Sequence, residues 1–281
     1  MSGEFDGRDV AMAGFDFWKK QESKPLFPDI EWNKPEQKTH AGKMAIIGGN
    51  KLGFAVVAMN TTRAAEFGVG EVKALLPDSL KKNLPVNAAT SFAPSNLSGG
   101  FSKEAIDSLQ AMYAWADVSV LIGDLGKNSE TAIALEDSLF KNDIFTSGGK
   151  LVATRDSVDL LMGSAAKLVE LKGLVLITSL AQLQKLFREV YYPKVITFSM
   201  QLANLVDVLH KFTITYPLTV ATLHQGSFIV AKSGEVVSTE LKDTRYSPLS
   251  IWSGEAAVKI AAYYVWNPGK PLESAASGVL A

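Results

Sequence analysis

Short apolar runs alternate with amphipathic segments along most of the chain. From Lys43 onwards, apolar runs bounded by glycine or polar residues predict the buried strands of a parallel sheet. The intervening segments carry apolar residues at helical spacing, which predicts helices. Predicted strands cover 44–47, 71–76, 118–122, 151–153, 174–177, 219–223 and 227–231, the last two as a pair. This alternation indicates βαβ crossovers, so we predict an α/β fold with a mostly parallel central sheet flanked by helices.

Residues typical of helix ends mark the boundaries of the helices between these strands. Gly68 follows a helix that begins near Phe54, as expected of a helix C-terminus. Ser102 is a candidate N-cap for a helix over 103–116, and Asn128 is one for a helix that runs to Phe140. The last strong helix is predicted from Ser253 to Trp266, and a short terminal helix from Pro271.

The first 40 residues have a different character. Three prolines are expected to break any regular element there, at Pro25, Pro28 and Pro35. The segment still holds too many large apolar residues for a linker, namely Phe15, Trp18, Leu26, Phe27 and Trp32. We therefore predict an extended arm over 1–40, packed on its own domain or on a neighbouring subunit, and one α/β domain over 41–281. A homo-oligomer is expected on the same grounds.

Composition excludes several kinds of site. The chain of 281 residues is 47% hydrophobic and has a formal net charge of −1, so its overall charge favours neither nucleic acid nor an anionic membrane. It has no cysteine and three histidines, which rules out disulfides and thiolate sites and argues against a multi-histidine metal site. We see no signal peptide and no apolar stretch long enough to span a membrane, so a soluble cytoplasmic protein is expected.

Candidate ligand loops follow the predicted strands, where ligands bind in open α/β sheets. In the loop over 48–53, Gly49, Asn50 and Lys51 offer backbone amides and a cation to an anion, although a tight strand-to-helix turn is the more common reason for such glycines. The spacing is not that of a P-loop. In the loop over 123–128, Asp124, Gly126 and Lys127 allow either a phosphate site or a capped turn with a solvated lysine.

Three further positions carry possible chemistry. Ser253, Gly254 and Glu255 open the last strong helix, where Glu255 is either a residue that complements the helix dipole or a general base. His224 ends an apolar strand, a place where a structural histidine is more common than a catalytic one. Asp156 belongs to a Thr-Arg-Asp segment that follows a strand.

These loops, in this order, resemble the C-terminal domain of the ADP/ATP-dependent NAD(P)H-hydrate dehydratases, a family of the ribokinase-like superfamily. The stretch from Ala41 to Leu76 is similar to the family's strand, Gly-Gly-Ser loop, Ala-rich helix and Gly-Ala-Gly turn. The loop over 123–128 resembles its Gly-Pro-Gly-Leu-Gly-Arg loop. The segment over 253–255 falls at its Ser/Thr-Gly-Asp. The likeness is strongest in the first third of the domain and positional in the remainder.

The resemblance implies a three-layer ribokinase-like fold, ADP or ATP with Mg²⁺ bridging its phosphates, and repair of a hydrated nicotinamide cofactor. Glu255 would be the base, and Ser253, Gly254 and His224 would bind the nucleotide. The NAD(P)H-type substrate would lie over Gly49, Asn50, Lys51, Asp124, Gly126, Lys127 and Asp156.

The chain departs from the family at several of these positions. Glu255 stands in place of an aspartate, and Trp252 in place of a glycine of the anion hole. Thr154 replaces the first aspartate of an Asp-x-Asp pair, and Leu180 replaces a histidine. Three functions stay open: a divergent dehydratase, a non-catalytic nucleotide- or dinucleotide-binding paralogue, and a small-molecule kinase on the same fold.

Overall fold

The computed structural model of the protein describes residues 16–22, 24–82, 84, 88–241 and 252–281. Its ten strands are β1 (Trp18–Gln21), β2 (Lys43–Gly48), β3 (Glu71–Pro77), β4 (Thr90–Ala93), β5 (Val118–Gly123), β6 (Leu151–Thr154), β7 (Leu174–Thr178), β8 (Thr219–His224), β9 (Ser227–Lys232) and β10 (Glu235–Glu240). The α-helices are α1 (Pro28–Trp32), α2 (Ala55–Phe67), α3 (Ile106–Trp115), α4 (Ser129–Phe140), α5 (Asp156–Leu160), α6 (Ala165–Leu168), α7 (Leu180–Glu189), α8 (Leu202–Thr215), α9 (Glu255–Trp266) and α10 (Pro271–Gly278).

All ten strands join one sheet, in the order β1-β10-β9-β8-β7-β6-β5-β2-β3-β4. Every neighbouring pair is parallel except the two that involve β9, which runs antiparallel to β8 and to β10. The prediction of a mostly parallel sheet flanked by helices is confirmed. All seven strands predicted from the apolar runs are present, and 219–223 and 227–231 pair as expected.

Helices cover both faces of the sheet, so the protein has three layers. Successive side chains of a strand point to opposite faces, and β2 shows the consequence: Met44 and Ile46 belong to one buried cluster, whereas Ala45 and Ile47 belong to the other. The cluster around Met44 includes residues of α1, α2, α9 and α10. The cluster around Ala45 includes residues of α3 to α8. A sheet buried on both faces explains why its strands read as continuous apolar runs.

The prolines near the N-terminus do not exclude regular structure, contrary to expectation. Pro28 occupies the first turn of α1, where its missing N–H would have no helical partner anyway. Strand β1 pairs in parallel with β10 at the edge of the sheet, from Trp18 opposite Val236 to Gln21 opposite Thr239. Gln21 is buried and donates to Thr239 Oγ1 at 3.0 Å and to the Ala276 carbonyl at 2.8 Å. Phe15 lies outside the described residues.

The remaining differences concern short elements. The sequence analysis missed β1, β4 and β10, which are short or polar strands at or next to the two edges of the sheet. The helix predicted over 103–116 begins as a 3-10 turn at Lys103–Ala105, and Ser102 makes no capping hydrogen bond with its side chain. Asn128 does cap α4, because its Oδ1 accepts from the Glu130 amide at 2.8 Å.

No helix among the described residues is long and apolar enough to cross a membrane.

Candidate functional site at the carboxyl edge of the sheet

The carboxyl ends of β2, β5, β6, β7 and β8 lie along one edge of the sheet because these strands are parallel. This is the edge at which open α/β sheets bind ligands. The loops that leave β2, β5 and β6 contact one another there, and the first turn of α9 packs against the end of β5.

The loops after β2 and β5 are held together through their backbones. The Gly49 amide donates to the Gly123 carbonyl at 3.0 Å, and the Asn50 side chain donates to the Asp124 carbonyl. Gly48 is required here, because a Cβ on it would lie 2.3 Å from the Gly123 carbonyl oxygen. Asn50 Oδ1 also accepts from the Leu52 amide at 2.7 Å. The side-chain amide of Asn50 therefore fixes the conformation of the loop after β2.

The two lysines assigned to these loops differ in their surroundings. Lys51 donates from Nζ to the Leu97 carbonyl at 3.1 Å, which ties the β2 loop to the segment after β4. Lys127 is exposed in the loop between β5 and α4. Lys127 is therefore the better placed of the two lysines to bind an anion.

Asp156 anchors the loop after β5 from its place at the start of α5. Its Oδ2 accepts from the Leu125 amide at 2.8 Å and from the Gly126 amide at 3.1 Å. Its Oδ1 is buried without a hydrogen-bond partner. Burial raises the pKa of this carboxyl above its usual value, while the two amides act in the opposite direction. Asp156 thus shapes the loop that contains Gly126.

Arg155 links the same loops from the other side. Its Nη2 donates to Asp124 Oδ1 at 2.8 Å, and both side chains are about three-quarters buried, with 24% and 20% exposed. Its backbone carbonyl accepts from Gln182 Nε2 at 2.8 Å, which connects the β6 loop to α7. No binding role was predicted for Arg155, since nothing in the local sequence pattern shows that it faces Asp124.

Ser253 and Gly254, at the start of α9, pack closely against β5 and α2; this segment is called the cradle below. Gly254 has a left-handed backbone with φ of 83°, and a Cβ there would lie 2.6 Å from Ile122 Cδ1. Asn60, fully buried on α2, donates from Nδ2 to the Ser253 carbonyl at 2.9 Å and to the Val56 carbonyl at 2.8 Å. Asn60 was missed from sequence, because a polar residue within an amphipathic helix gives no sign of a partner so distant in the chain.

Glu255, the assigned base, forms two ion pairs. One carboxylate oxygen lies 3.4 Å from Arg63 Nη2 on α2, and the other lies 3.0 Å from Lys259 Nζ one turn along α9. The side chain is 29% exposed. The two cations lie on different helices, and both contacts would have to open before the carboxylate could reach a substrate. In this structure Glu255 therefore joins α2 to α9.

His224 lies at the same edge but away from these loops. It ends β8, three strands from β5 in the sheet, which is a spacing of about 14 Å. The ring is buried and its Nε2 donates to the Met200 carbonyl at 2.6 Å. The structure thus brings together the assigned residues of 49–51, 124–127, 156 and 253–255, and places His224 apart from them.

An open cleft of about 780 Å³ lies beside the β6 and β7 loops. Its lining combines cations, amides and one tryptophan: Arg155, Asp156, Asp159, Ser179, Ala181, Gln182, Gln184, Lys185, Arg188 and Trp252. Its size is in the range of sites for small molecules. Among the described residues, no group of three or more histidines or carboxylates is placed to hold a metal ion.

Solved structures with this architecture are similar over most of their length. A ribokinase-like superfamily protein from Enterococcus faecalis V583 matches with a TM-score of 0.65 at 15% identity, covering 94% of this chain and 86% of that one. A protein from Streptococcus mutans matches with a TM-score of 0.63 at 15% identity, covering 89% and 85%. The chain has a ribokinase-like fold.

The dehydratases of the predicted family are also among the similar structures. The ADP/ATP-dependent NAD(P)H-hydrate dehydratase from Bacillus subtilis, co-crystallized with ATP/Mg²⁺, matches with a TM-score of 0.57 at 9% identity, covering 91% of this chain and 86% of that one. At such identities the likeness establishes the fold alone. No protein-family model matches the chain, and no curated protein is similar to it in sequence.

Proposed function

We propose that the protein binds a purine nucleotide at the carboxyl edge of its sheet, with the phosphates in the cleft beside β6 and β7. The observation that carries this proposal is the lining of the cleft, where Arg155, Lys185 and Arg188 face a common space next to Trp252. Guanidinium and ammonium groups bind phosphate through charge-assisted hydrogen bonds, and an indole ring offers a face on which a base can stack.

The cations of α7 are available for a ligand. Lys185 and Arg188 are one helical turn apart and project from the same face. Within the described part of the chain, the ion pair of Arg188 is a 3.8 Å contact with its exposed neighbour Glu189, and Lys185 has none. Exposed pairs of that kind contribute little, so they leave both cations free to bind an anion.

Mg²⁺ fits this site as an ion carried by the nucleotide. Asp159 lines the cleft, and its Oδ2 accepts from Gln182 Nε2 at 2.8 Å. Mg²⁺ is commonly held by one or two carboxylates together with phosphate oxygens. Asp159 would supply such a carboxylate, and the ion would neutralise phosphate charge.

Binding can be tested by calorimetry with ATP, ADP, NADH and NADPH, each with and without Mg²⁺. We expect the wild type to bind at least one nucleotide. Replacing both Lys185 and Arg188 by alanine should weaken binding by about 10-fold or more, since a hydrogen bond to a charged group contributes roughly 1.5–3 kcal/mol. Lys172→Ala is the matched control, because this exposed lysine precedes β7 at the opposite edge of the sheet. Equal losses of nucleotide affinity in the double variant and in Lys172→Ala would refute the proposed site.

A dehydratase acting on NAD(P)H hydrate is the second candidate, supported by Ser253, Gly254 and Glu255 at the first turn of α9. It requires Glu255 to leave Arg63 and Lys259 and take the proton of the substrate hydroxyl. Glu255→Gln should then abolish turnover of NADH hydrate while nucleotide binding persists, because the backbone amides remain. A general base contributes about 10²–10⁴-fold in rate.

Three outcomes separate the open functions. A wild type that binds nucleotide without any turnover indicates a binding paralogue, in which Glu255→Gln changes affinity only slightly. Turnover of NADH hydrate that depends on Glu255 indicates a dehydratase. Consumption of ATP with a small hydroxylated substrate in place of the hydrate indicates a kinase. Trp252→Gly provides a further check, because a base that stacks on the indole would lose that contact and nucleotide binding should weaken.

A further inference from the structure

Arg155 adopts a backbone conformation that favours glycine. Its φ of 59° and ψ of −138° are the mirror image of an extended L-residue. Glycine enters this region freely, whereas a residue with a Cβ is strained there. Such strain persists where the surrounding structure enforces it, and it is concentrated at functional sites. A turn of this kind forms with less strain when the residue is glycine, so the presence of arginine here points to a role for its side chain.

Neighbouring residues hold this conformation in place. Gln182 donates from Nε2 to the Arg155 carbonyl, and the same Gln182 completes the capping box of α7 with Ser179. On the other side, a Cβ on Gly123 would lie 3.1 Å from Arg155 Cβ, so the two loops are in close contact. The backbone of Arg155 is therefore fixed between α7 and the end of β5.

This conformation directs the guanidinium to the boundary between the cleft and the β5 loop. One nitrogen donates to Asp124 Oδ1 at 2.8 Å, and the other donates to the Ile122 carbonyl at 3.4 Å. The side chain also lines the cleft and is 24% exposed. Arg155 is thus the cleft cation nearest to the loops over 48–53 and 123–128.

We propose that Arg155 binds the terminal phosphate of the nucleotide, and that Asp124 holds the guanidinium in position until the phosphate arrives. This inference rests on the nucleotide site proposed above. In this proposal the base stacks on Trp252 and the phosphates extend towards the β2 and β5 loops, so the phosphate that reaches Arg155 is the last of a chain of two or three. The planar guanidinium can exchange a carboxylate for phosphate oxygens of the same geometry. Arg155 then selects nucleotides with more than one phosphate.

Affinities for ATP, ADP and AMP test the selection. In Arg155→Gln, ATP and ADP should bind about 10- to 100-fold more weakly, as expected for the loss of one charge-assisted contact. AMP affinity should change by less than about 3-fold, a difference within the usual context dependence of single contacts. Arg155→Gly is the second variant, because it removes the side chain and relieves the strained backbone. The same loss of selectivity in a protein that melts no lower than the wild type separates ligand binding from folding.

Asp124→Asn tests the exchange. Removing the carboxylate that competes for Arg155 should tighten ATP binding, a change opposite in sign to that of Arg155→Gln. In a double-mutant cycle the tightening should be lost in the Arg155→Gln background, since the two residues act through one contact. Tightening of equal size in both backgrounds overturns the exchange.

The failure of this inference differs from that of the proposed function. A wild type that binds none of the nucleotides refutes the nucleotide site itself. A wild type that binds ATP, with Arg155→Gln and Arg155→Gly showing unchanged ratios of ATP to AMP affinity, refutes the role of Arg155 and leaves the site intact.

Discussion

Replacing Gly254 by alanine is the sharpest test of the cradle at the start of α9. Its backbone is left-handed, with φ of 83°. The added methyl would lie 2.6 Å from Ile122 Cδ1 and 3.0 Å from Asn60 Nδ2. The substitution therefore combines two separate effects, backbone strain and a steric clash with β5 and α2.

The two effects can be estimated separately. A left-handed backbone costs an L-residue roughly 1–2 kcal/mol relative to glycine. Forcing a methyl into a packed interior costs typically 1–3 kcal/mol more, because neighbouring side chains must leave their preferred rotamers. The sum is about 2–5 kcal/mol. With roughly 2–4 °C per kcal/mol for a domain somewhat smaller than this one, the melting temperature should fall by about 4–20 °C.

Gly226→Ala is the matched control. Gly226 is also left-handed, with φ of 75°, but a Cβ on it would meet no atom within 4 Å. It lies in the turn of the β8–β9 hairpin. Only the cost of the left-handed backbone applies there, so the melting temperature of Gly226→Ala should fall by about 2–8 °C. Thermal melts of the wild type and both variants, followed by circular dichroism, provide the comparison.

The difference between the two variants measures the packing of Gly254 on Ile122 and Asn60. A Gly254→Ala protein that melts at the same temperature as Gly226→Ala would show that the cradle is not packed as described. In the dehydratase candidate, where the amides at the start of α9 contact the nucleotide, nucleotide binding should also weaken in Gly254→Ala and not in Gly226→Ala.

Three further predictions concern other parts of the molecule. Removal of residues 1–38 should lower stability or change the oligomeric state, because β1 pairs with β10 and Gln21 is buried; a truncated protein with unchanged melting and unchanged mass in solution would contradict this. Asn128→Ala should cost about 0.5–2 kcal/mol in urea unfolding through loss of the α4 cap, whereas Ser102→Ala should cost less, as its side chain makes no capping bond. Asp156 has a raised pKa in the folded state, so the native protein binds this proton more tightly than the unfolded chain does. The stability from this group therefore falls as pH rises from the ordinary aspartate pKa of 3.8 through the raised pKa. In Asp156→Asn, which keeps an acceptor for the Leu125 and Gly126 amides, that part of the decline in melting temperature should be missing, and identical pH profiles would refute the assignment.

The layered architecture could be predicted from the pattern of apolar residues alone. A strand buried on both faces needs apolar residues at every position, so the runs at β2, β5 and β7 could be recognised without knowing their neighbours. Local hydrogen bonding likewise made the Asn128 cap predictable, since donor and acceptor lie within one turn. The short strands β1, β4 and β10 gave no such signal, because edge positions need neither length nor continuous apolarity.

The contacts of the polar residues in the site, by contrast, depend on how distant segments pack together. The position of Glu255 at a helix start was readable from sequence, but its partner Arg63 depends on α2 and α9 meeting on one face of the sheet. Asp156 was predicted to bind substrate, and the fold shows that its Oδ2 also accepts from two amides of the β5 loop. Arg155 became a candidate ligand residue through its backbone angles and its contact with Asp124. Ion pairs and hydrogen bonds of this kind join segments distant in the chain, and no local periodicity encodes them.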